Sequence, residues 1–263
     1  MVRASPKNSG KTRWGRHLIA GPKHDYRERA LMKLIARYAA QGTSMLDIGS
    51  GSGSLLFRLA RAGYKVKGIE ISESFVEHTR KQLSSLGFDD RIDVAVGVAE
   101  ELSLADRSTD SVVLAEVLEH LPDDCQGLSE AHRVLRDNGL LFITVPANPA
   151  LWTSVDEKAG HYRRYTSEQL AQILENRGFT MLEMRWWGFP VTRIYEKILF
   201  RPWSRVRSRA GKPPGSGGFM GTLATHPMVR VPLSRILSID EIFRRLPFGI
   251  GLMAVARKRP TGT

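Results

Sequence analysis

The run Met45-Leu46-Asp47-Ile48-Gly49-Ser50-Gly51-Ser52-Gly53-Ser54 constrains this chain more than any other. A short apolar stretch reaches Asp47, glycines follow at every second position, and Leu55-Leu56-Phe57-Arg58-Leu59-Ala60 opens an apolar helical pattern. The run predicts a strand, a tight turn and a helix N-terminus. Glycine serves where the backbone takes positive φ or where a ligand lies against the main chain. The helix start adds free N–H groups and a partial positive charge suited to an anion. Taken alone, the turn fits either a nucleotide-type site or a plain tight turn. Lys65 to Ile71 then reads as a second strand with Glu70 near its end, 17 residues past Gly53. That is close to the spacing of a carboxylate that holds a ribose diol.

The rest of the chain alternates strands with helices. Apolar residues at Leu31, Leu34, Ile35 and Tyr38 predict a helix over 25–40 that covers the sheet beside the glycine turn. Ser72 and Ser74 are candidate caps for a helix through Leu86. Strands are expected at 91–97, 110–115 and 140–145, with a helix from Asp124 to Arg136. The apolar run Leu140-Leu141-Phe142-Ile143-Thr144-Val145 suits a central parallel strand buried on both faces. Thr166 caps a helix over Ser167–Arg177, and strands follow at 181–187 and 249–257. This order implies a doubly wound α/β fold with a mostly parallel sheet.

Asp47-x-Gly49-x-Gly51-x-Gly53, Glu70 and Leu114-Ala115-Glu116-Val117-Leu118-Glu119-His120-Leu121 together resemble a class I S-adenosylmethionine (SAM) methyltransferase. The likeness is strongest to the small-molecule branch that includes quinone-pathway and type 11/12 enzymes, and it spans about residues 26–187. The spacing differs from the G-x-G-x-x-G of dinucleotide dehydrogenases. The resemblance implies a seven-stranded Rossmann-like sheet whose last two strands form an antiparallel pair, with a helix lidding the cofactor. It implies SAM as cofactor, held by Asp47, Gly49, Gly51, Gly53 and Glu70, with Glu116 near the methionine moiety. The family often places an Asp after the third strand to meet the adenine amino group. Here Val98-Ala99 stand there, followed by Glu100, so adenine recognition is left to backbone groups or Glu100.

Residues 147–165 are too long and polar for a plain connection. They hold Trp152, Asp156, His161, Arg163, Arg164 and Tyr165, and the Gly-His-x-Arg-Arg-Tyr pattern is similar to a bacterial subset of these methyltransferases. We expect this stretch, with His120, to build the acceptor pocket. Alignment and exclusion of water carry most of a methyl transfer. Where the acceptor is a hydroxyl, His161 suits the role of base and Asp156 that of its orienting partner. Arg163 and Arg164 suit either a carboxylate or phosphate on the acceptor, or salt bridges within the loop.

Net charge is +12, and it is concentrated. Residues 1–23 carry six Lys or Arg and no acid, and residues 197–239 carry eight and no acid. The expected organisation is a flexible basic arm over 1–23, a SAM-binding domain over 24–187 plus 248–259, and an inserted amphipathic, basic cap over 188–247. The insertion shows Trp186-Trp187, an apolar helical pattern from Val191 to Leu199, Trp203 among arginines, a Gly/Pro/Ser linker at 212–218 and a second amphipathic helix over 233–246. Such a segment suits either an anionic membrane interface or packing on the domain or on a second subunit. The single Cys125 leaves no disulfide or multi-cysteine metal site, and no metal is expected. There is no run of 18 apolar residues and no apolar signal segment, so a cytoplasmic place follows, with the inner membrane face open. The reading is a SAM-dependent methyltransferase acting on a small or lipid-linked acceptor, on oxygen. Its rivals are an RNA or protein methyltransferase using the basic arms, and a non-catalytic module that keeps the fold.

Overall fold

The structure is a computed structural model that describes residues 21–88, 91–200 and 226–260. The helix α1 (Pro22–Tyr38) precedes β1 (Ser44–Ile48), and α2 (Ser54–Arg61) follows the glycine turn. Then come β2 (Lys65–Glu70), α3 (Glu73–Leu86), β3 (Ile92–Val96), β4 (Thr109–Ala115), α4 (Asp124–Val134) and β5 (Leu135–Pro146). A short α5 (Ser154–Ala159) and α6 (Ser167–Asn176) lead to β6 (Phe179–Trp187). The insertion contributes α7 (Val191–Tyr195) and α8 (Pro227–Leu237) before β7 (Gly251–Lys258).

The seven strands form one sheet in the order β3-β2-β1-β4-β5-β7-β6. β1 to β5 pair in parallel, and β7 runs antiparallel to both β5 and β6. The doubly wound, mostly parallel sheet expected from the sequence is therefore present, with the antiparallel pair at one edge. Alternate residues of each central strand feed opposite faces. Val112, Leu114, Leu141, Ile143, Leu252 and Ala254 pack with α4 and α6. Val113, Phe142, Met253 and Val255 pack with α1, α2 and α8. Burial on both faces explains why β5 reads as an unbroken apolar run rather than an alternating one.

Several boundaries differ from the sequence reading for local reasons. α1 starts at Pro22, where a proline needs no partner for its absent N–H. Pro22 and Lys23 are thus helical rather than part of an arm, and residues 1–20 lie outside the described residues. Ser72 sits at the start of α3, yet its hydroxyl bonds the Ser74 hydroxyl (2.9 Å) and caps no backbone group. α4 ends at Val134 because Leu135 already pairs with Thr109. The second insertion helix begins at Pro227, holds Pro232 inside it, and gives way after Leu237 to a 3₁₀ turn over Ser238–Phe243. Thr166 does cap α6, in a reciprocal box with Gln169. The expected linker at 212–218 and Trp203 lie outside the described residues.

α1 is bolted to the glycine turn by charge. Glu28 is buried and accepts hydrogen bonds from the Ser54 hydroxyl and from Arg58 Nε (2.7 Å). Its other neighbour is His24 (2.8 Å). Burial alone would raise the Glu28 pKa, but His24, Ser54 and Arg58 outweigh it and hold the carboxyl down at about 2. The folded value lies below the unfolded one, so this contribution is present above pH 4.5 and lost as pH falls toward 2. It amounts to on the order of 3 kcal/mol at neutral pH. In thermal melts between pH 5 and 2, Glu28→Gln should be less stable than wild type at pH 5 and should lose less stability on acidification. Parallel pH profiles would contradict the assignment.

Candidate active site

The strand order reverses between β1 and β4, because the chain leaves β1 toward β2 on one side and returns at β4 on the other. Open α/β sheets bind ligands at the carboxyl ends of strands at such a point. The glycine turn follows β1 there, and Glu116 follows β4 there. All three glycines have positive φ: 73° at Gly49, 54° at Gly51 and 78° at Gly53. Their surroundings differ. A Cβ on Gly49 would meet Val117 Cγ2 at 2.6 Å, and one on Gly53 would meet Thr79 Cγ2 at 2.8 Å. Nothing lies within 4 Å of a Cβ on Gly51. Gly49 and Gly53 are therefore required by packing and conformation, whereas Gly51 opens onto the cleft.

Glu70 holds this turn in place. Its Oε2 accepts from Gly51 N–H (2.8 Å) and its Oε1 from Ser72 N–H (2.9 Å). Each oxygen keeps a second lone pair, which is what two ribose hydroxyls require. Asp47 is buried, with Oδ2 lacking a hydrogen-bond partner. Burial first, then the Glu28 and Glu70 charges, push its carboxyl well above the usual range. Gly97 N–H donates to the Glu70 carbonyl (3.0 Å), which brings the loop after β3 to the same strand end. Of the residues expected at the adenine, Val98 is exposed and Ala99 buried. The sequence reading passed over Ile71, 57% exposed directly after Glu70. An apolar residue directly after the strand-end acid is the one sequence signal that could have flagged it. These residues fit SAM: an uncrowded glycine, a braced carboxylate and an orphaned buried carboxyl oxygen converge on one cleft.

Glu116 takes a positive φ of 59°, uncommon outside glycine. Its carboxylate pairs with Arg27 of α1 (3.0 Å) and accepts from the Thr144 hydroxyl (3.1 Å). Burial would raise its pKa, but Arg27, then Lys23 and Thr144, bring it below the ordinary value. Arg27 and Glu28, unremarkable in an amphipathic helix, are the contacts that make α1 the roof of the cleft.

The loop after β5 is ordered by Asp156. Thr153 and Asp156 form a reciprocal capping box at the start of α5. Asp156 Oδ1 also faces His161 Nδ1 (3.0 Å) and accepts from Arg164 Nε (2.8 Å). Burial opposes its ionisation, yet His161 and Arg164 hold its carboxyl far below the usual range. With Nδ1 taken by Asp156, Nε2 is the His161 nitrogen left to act. The His161 and His120 rings meet edge to face at 4.6 Å. Burial, and then His161, lower the His120 pKa to about 4. Glu119, fully buried beside them, is pushed well above the carboxylate range by burial and by Glu116.

The structure thus brings His120, Asp156 and His161 together. The polar groups of three other expected acceptor residues are engaged within the protein. Arg164 also donates to the Ala147 carbonyl (3.0 Å), which ties the loop to the end of β5. Tyr165 is buried, with its hydroxyl on Asp124 (2.7 Å). Arg163 pairs with Asp124 (2.7 Å) and donates to the Pro122 carbonyl (2.7 Å). Trp152 stays 36% exposed.

A family model described as a methyltransferase domain matches residues 46–143. The 27-O-demethylrifamycin SV methyltransferase of Amycolatopsis mediterranei is 36% identical over 151 residues, covering 52% of this chain and 56% of the relative. A ubiquinone/menaquinone biosynthesis C-methyltransferase of Geotalea uraniireducens is 32% identical over 118 residues, 44% of this chain and 50% of the relative. The chain spans about half the length of the curated relatives it matches. Among solved structures, phosphoethanolamine N-methyltransferase 2 of Haemonchus contortus, in complex with SAM, aligns at a TM-score of 0.64. That alignment covers 94% of this chain and 55% of the other at 20% identity, a likeness of fold. The strand order, the braced glycine turn and these similarities agree on a methyltransferase domain over residues 46–143, similar to that of SAM-dependent methyltransferases.

Proposed function

We propose that this protein transfers a methyl group from SAM to a hydroxyl of a small or lipid-linked acceptor. The observation that carries the reading is the Asp156–His161 pair, which occupies Nδ1 and leaves the other imidazole nitrogen near Glu116 at the edge of the cofactor cleft. Bound SAM supplies a methyl group already activated by its sulfonium. Asp47, Gly51 and Glu70 hold the cofactor. α1 roofs it through Arg27 and Glu28 and keeps water out. Asp156 fixes the tautomer of His161, whose Nε2 then takes the proton of the acceptor hydroxyl. Trp152 offers an apolar face to the acceptor. The relatives named above act at carbon and at oxygen, and the histidine pair favours oxygen, because a hydroxyl gains most from a base.

The insertion supports a lipid-linked acceptor. α8 packs its inner face on α1, where the Ser234 hydroxyl donates to Asp25 (2.6 Å), and Asp240 accepts from the Val191 and Thr192 N–H groups. The outer side of α8 leaves Met228 and Ile236 exposed and the 3₁₀ turn after it leaves Ile242, as α7 and the turn after it leave Ile194 and Ile198. Arg230 and Arg235 belong to the same helix, and the sequence beyond Lys197 is rich in arginine, a combination suited to an anionic bilayer surface. No helix among the described residues is long and apolar enough to cross a membrane.

Three outcomes are expected. Gly51→Val should weaken SAM binding by roughly tenfold or more, read by calorimetry, while Gly42→Ala, remote from the cleft, should not. His161→Ala should bind SAM normally and lose about 10²- to 10⁴-fold in turnover of a hydroxyl acceptor; full activity would remove His161 from the mechanism. The protein should co-sediment with phosphatidylglycerol vesicles and not with phosphatidylcholine ones, and Met228→Asp/Ile242→Asp should abolish this. Salt-steep binding to RNA without vesicle binding would favour the polyanion reading instead.

A further inference from the structure

Glu119 is the strangest residue in the molecule. Its carboxyl is fully buried, and neither oxygen has a hydrogen-bond partner. A buried carboxyl without partners is costly, and proteins keep one where something else completes it. Two imidazoles lie beside it: one ligand-type atom each from Glu119, His120 and His161 lie within 4.8 Å of one another. The backbone holds the three in place independently. Glu119 and His120 share a 3₁₀ turn over Leu118–His120, and the Tyr162 N–H donates to the Glu119 carbonyl (2.7 Å), pinning the His161 loop to it.

We propose that Glu119, His120 and His161 form a binding site for a divalent first-row transition metal ion. Two imidazoles and one carboxylate are a donor set suited to zinc, manganese or iron with coordination positions left open. The His161–Asp156 contact fits this role as well. Metal-bound histidines characteristically give their other nitrogen to a carboxylate, which fixes the ring and the tautomer. Thr153 and Arg164 brace Asp156 in turn. Glu116, three residues before Glu119 and tied to Arg27, adds negative charge alongside.

This deepens the reading of the site and rests on it. With the ion bound, the His161 lone pair is given to the metal, and the metal takes over acidification of the acceptor. A hydroxyl oxygen entering an open position loses its proton to water and keeps its electron pair on the metal, ready for the methyl carbon. Acceptors with a second oxygen beside the reacting one would chelate and be preferred.

The test uses full-length protein stripped with chelator and titrated with Mn²⁺ or Zn²⁺ by calorimetry, with SAM titration as the check on folding. Wild type should bind one equivalent of at least one of the two ions. Glu119→Gln and His161→Gln should each bind it roughly 100-fold or more weakly while SAM affinity holds. Spin-echo spectra of the Mn²⁺ form should show two imidazole nitrogens in wild type and one in His161→Gln. The proposal is overturned if neither ion binds, or if whichever variant retains SAM binding takes up the ion as wild type does. Loss of SAM binding by wild type would instead count against the methyltransferase reading, and metal uptake would stand apart from it.

Discussion

The Glu70 carboxylate bridges two backbone N–H groups, one in the glycine turn after β1 and one at the start of α3. The cleft depends on that bridge. The turn must hold three positive-φ glycines, a conformation with little support of its own. One side is wedged by Val117 against Gly49 and the other by Thr79 against Gly53. Between these wedges, Gly51 is held through its N–H, and its Cα side is open. The carboxylate proposed to take the ribose is also the brace of the turn. The cofactor would meet a turn already in place and would have less ordering to pay for on binding.

A second node, Asp156, organises the acceptor side in the same manner. It caps α5, receives Arg164 and orients His161. These tasks account for the unusual density of polar residues between β5 and α6. They also separate residues that the sequence presents as equals. Arg164 and Tyr165 spend their polar atoms holding the loop together, and His161 is left aimed at His120 and Glu119.

The fold of the candidate cofactor half, strand, turn and acid, was legible because it is local. A strand, a glycine turn and an acid at the end of the next strand lie within 26 residues, and their spacing carries the geometry. The central strands were legible because burial on both faces leaves a continuous apolar signature. What escaped was decided by distant contacts. Glu119 looks like any acid in a polar motif, and only the fold shows it buried without a partner. Arg27 and Glu28 look like solvent-facing charges of an amphipathic helix until α1 is seated on the cleft. Ser72 carried the right residue type for a cap, but a neighbouring hydroxyl competed for its side chain. The insertion's second helix lies earlier than expected, starting at Pro227 and running through Pro232.

The central claim is that this braced cleft holds SAM, and calorimetric titration with SAM on wild type and on Glu70→Ala tests it most directly. The account predicts saturable binding by the wild type. It predicts loss of that binding in a variant that remains folded by circular dichroism, because the bridge and the ribose contact go together. Equal affinity in the two proteins, or no binding by folded wild type, would contradict it.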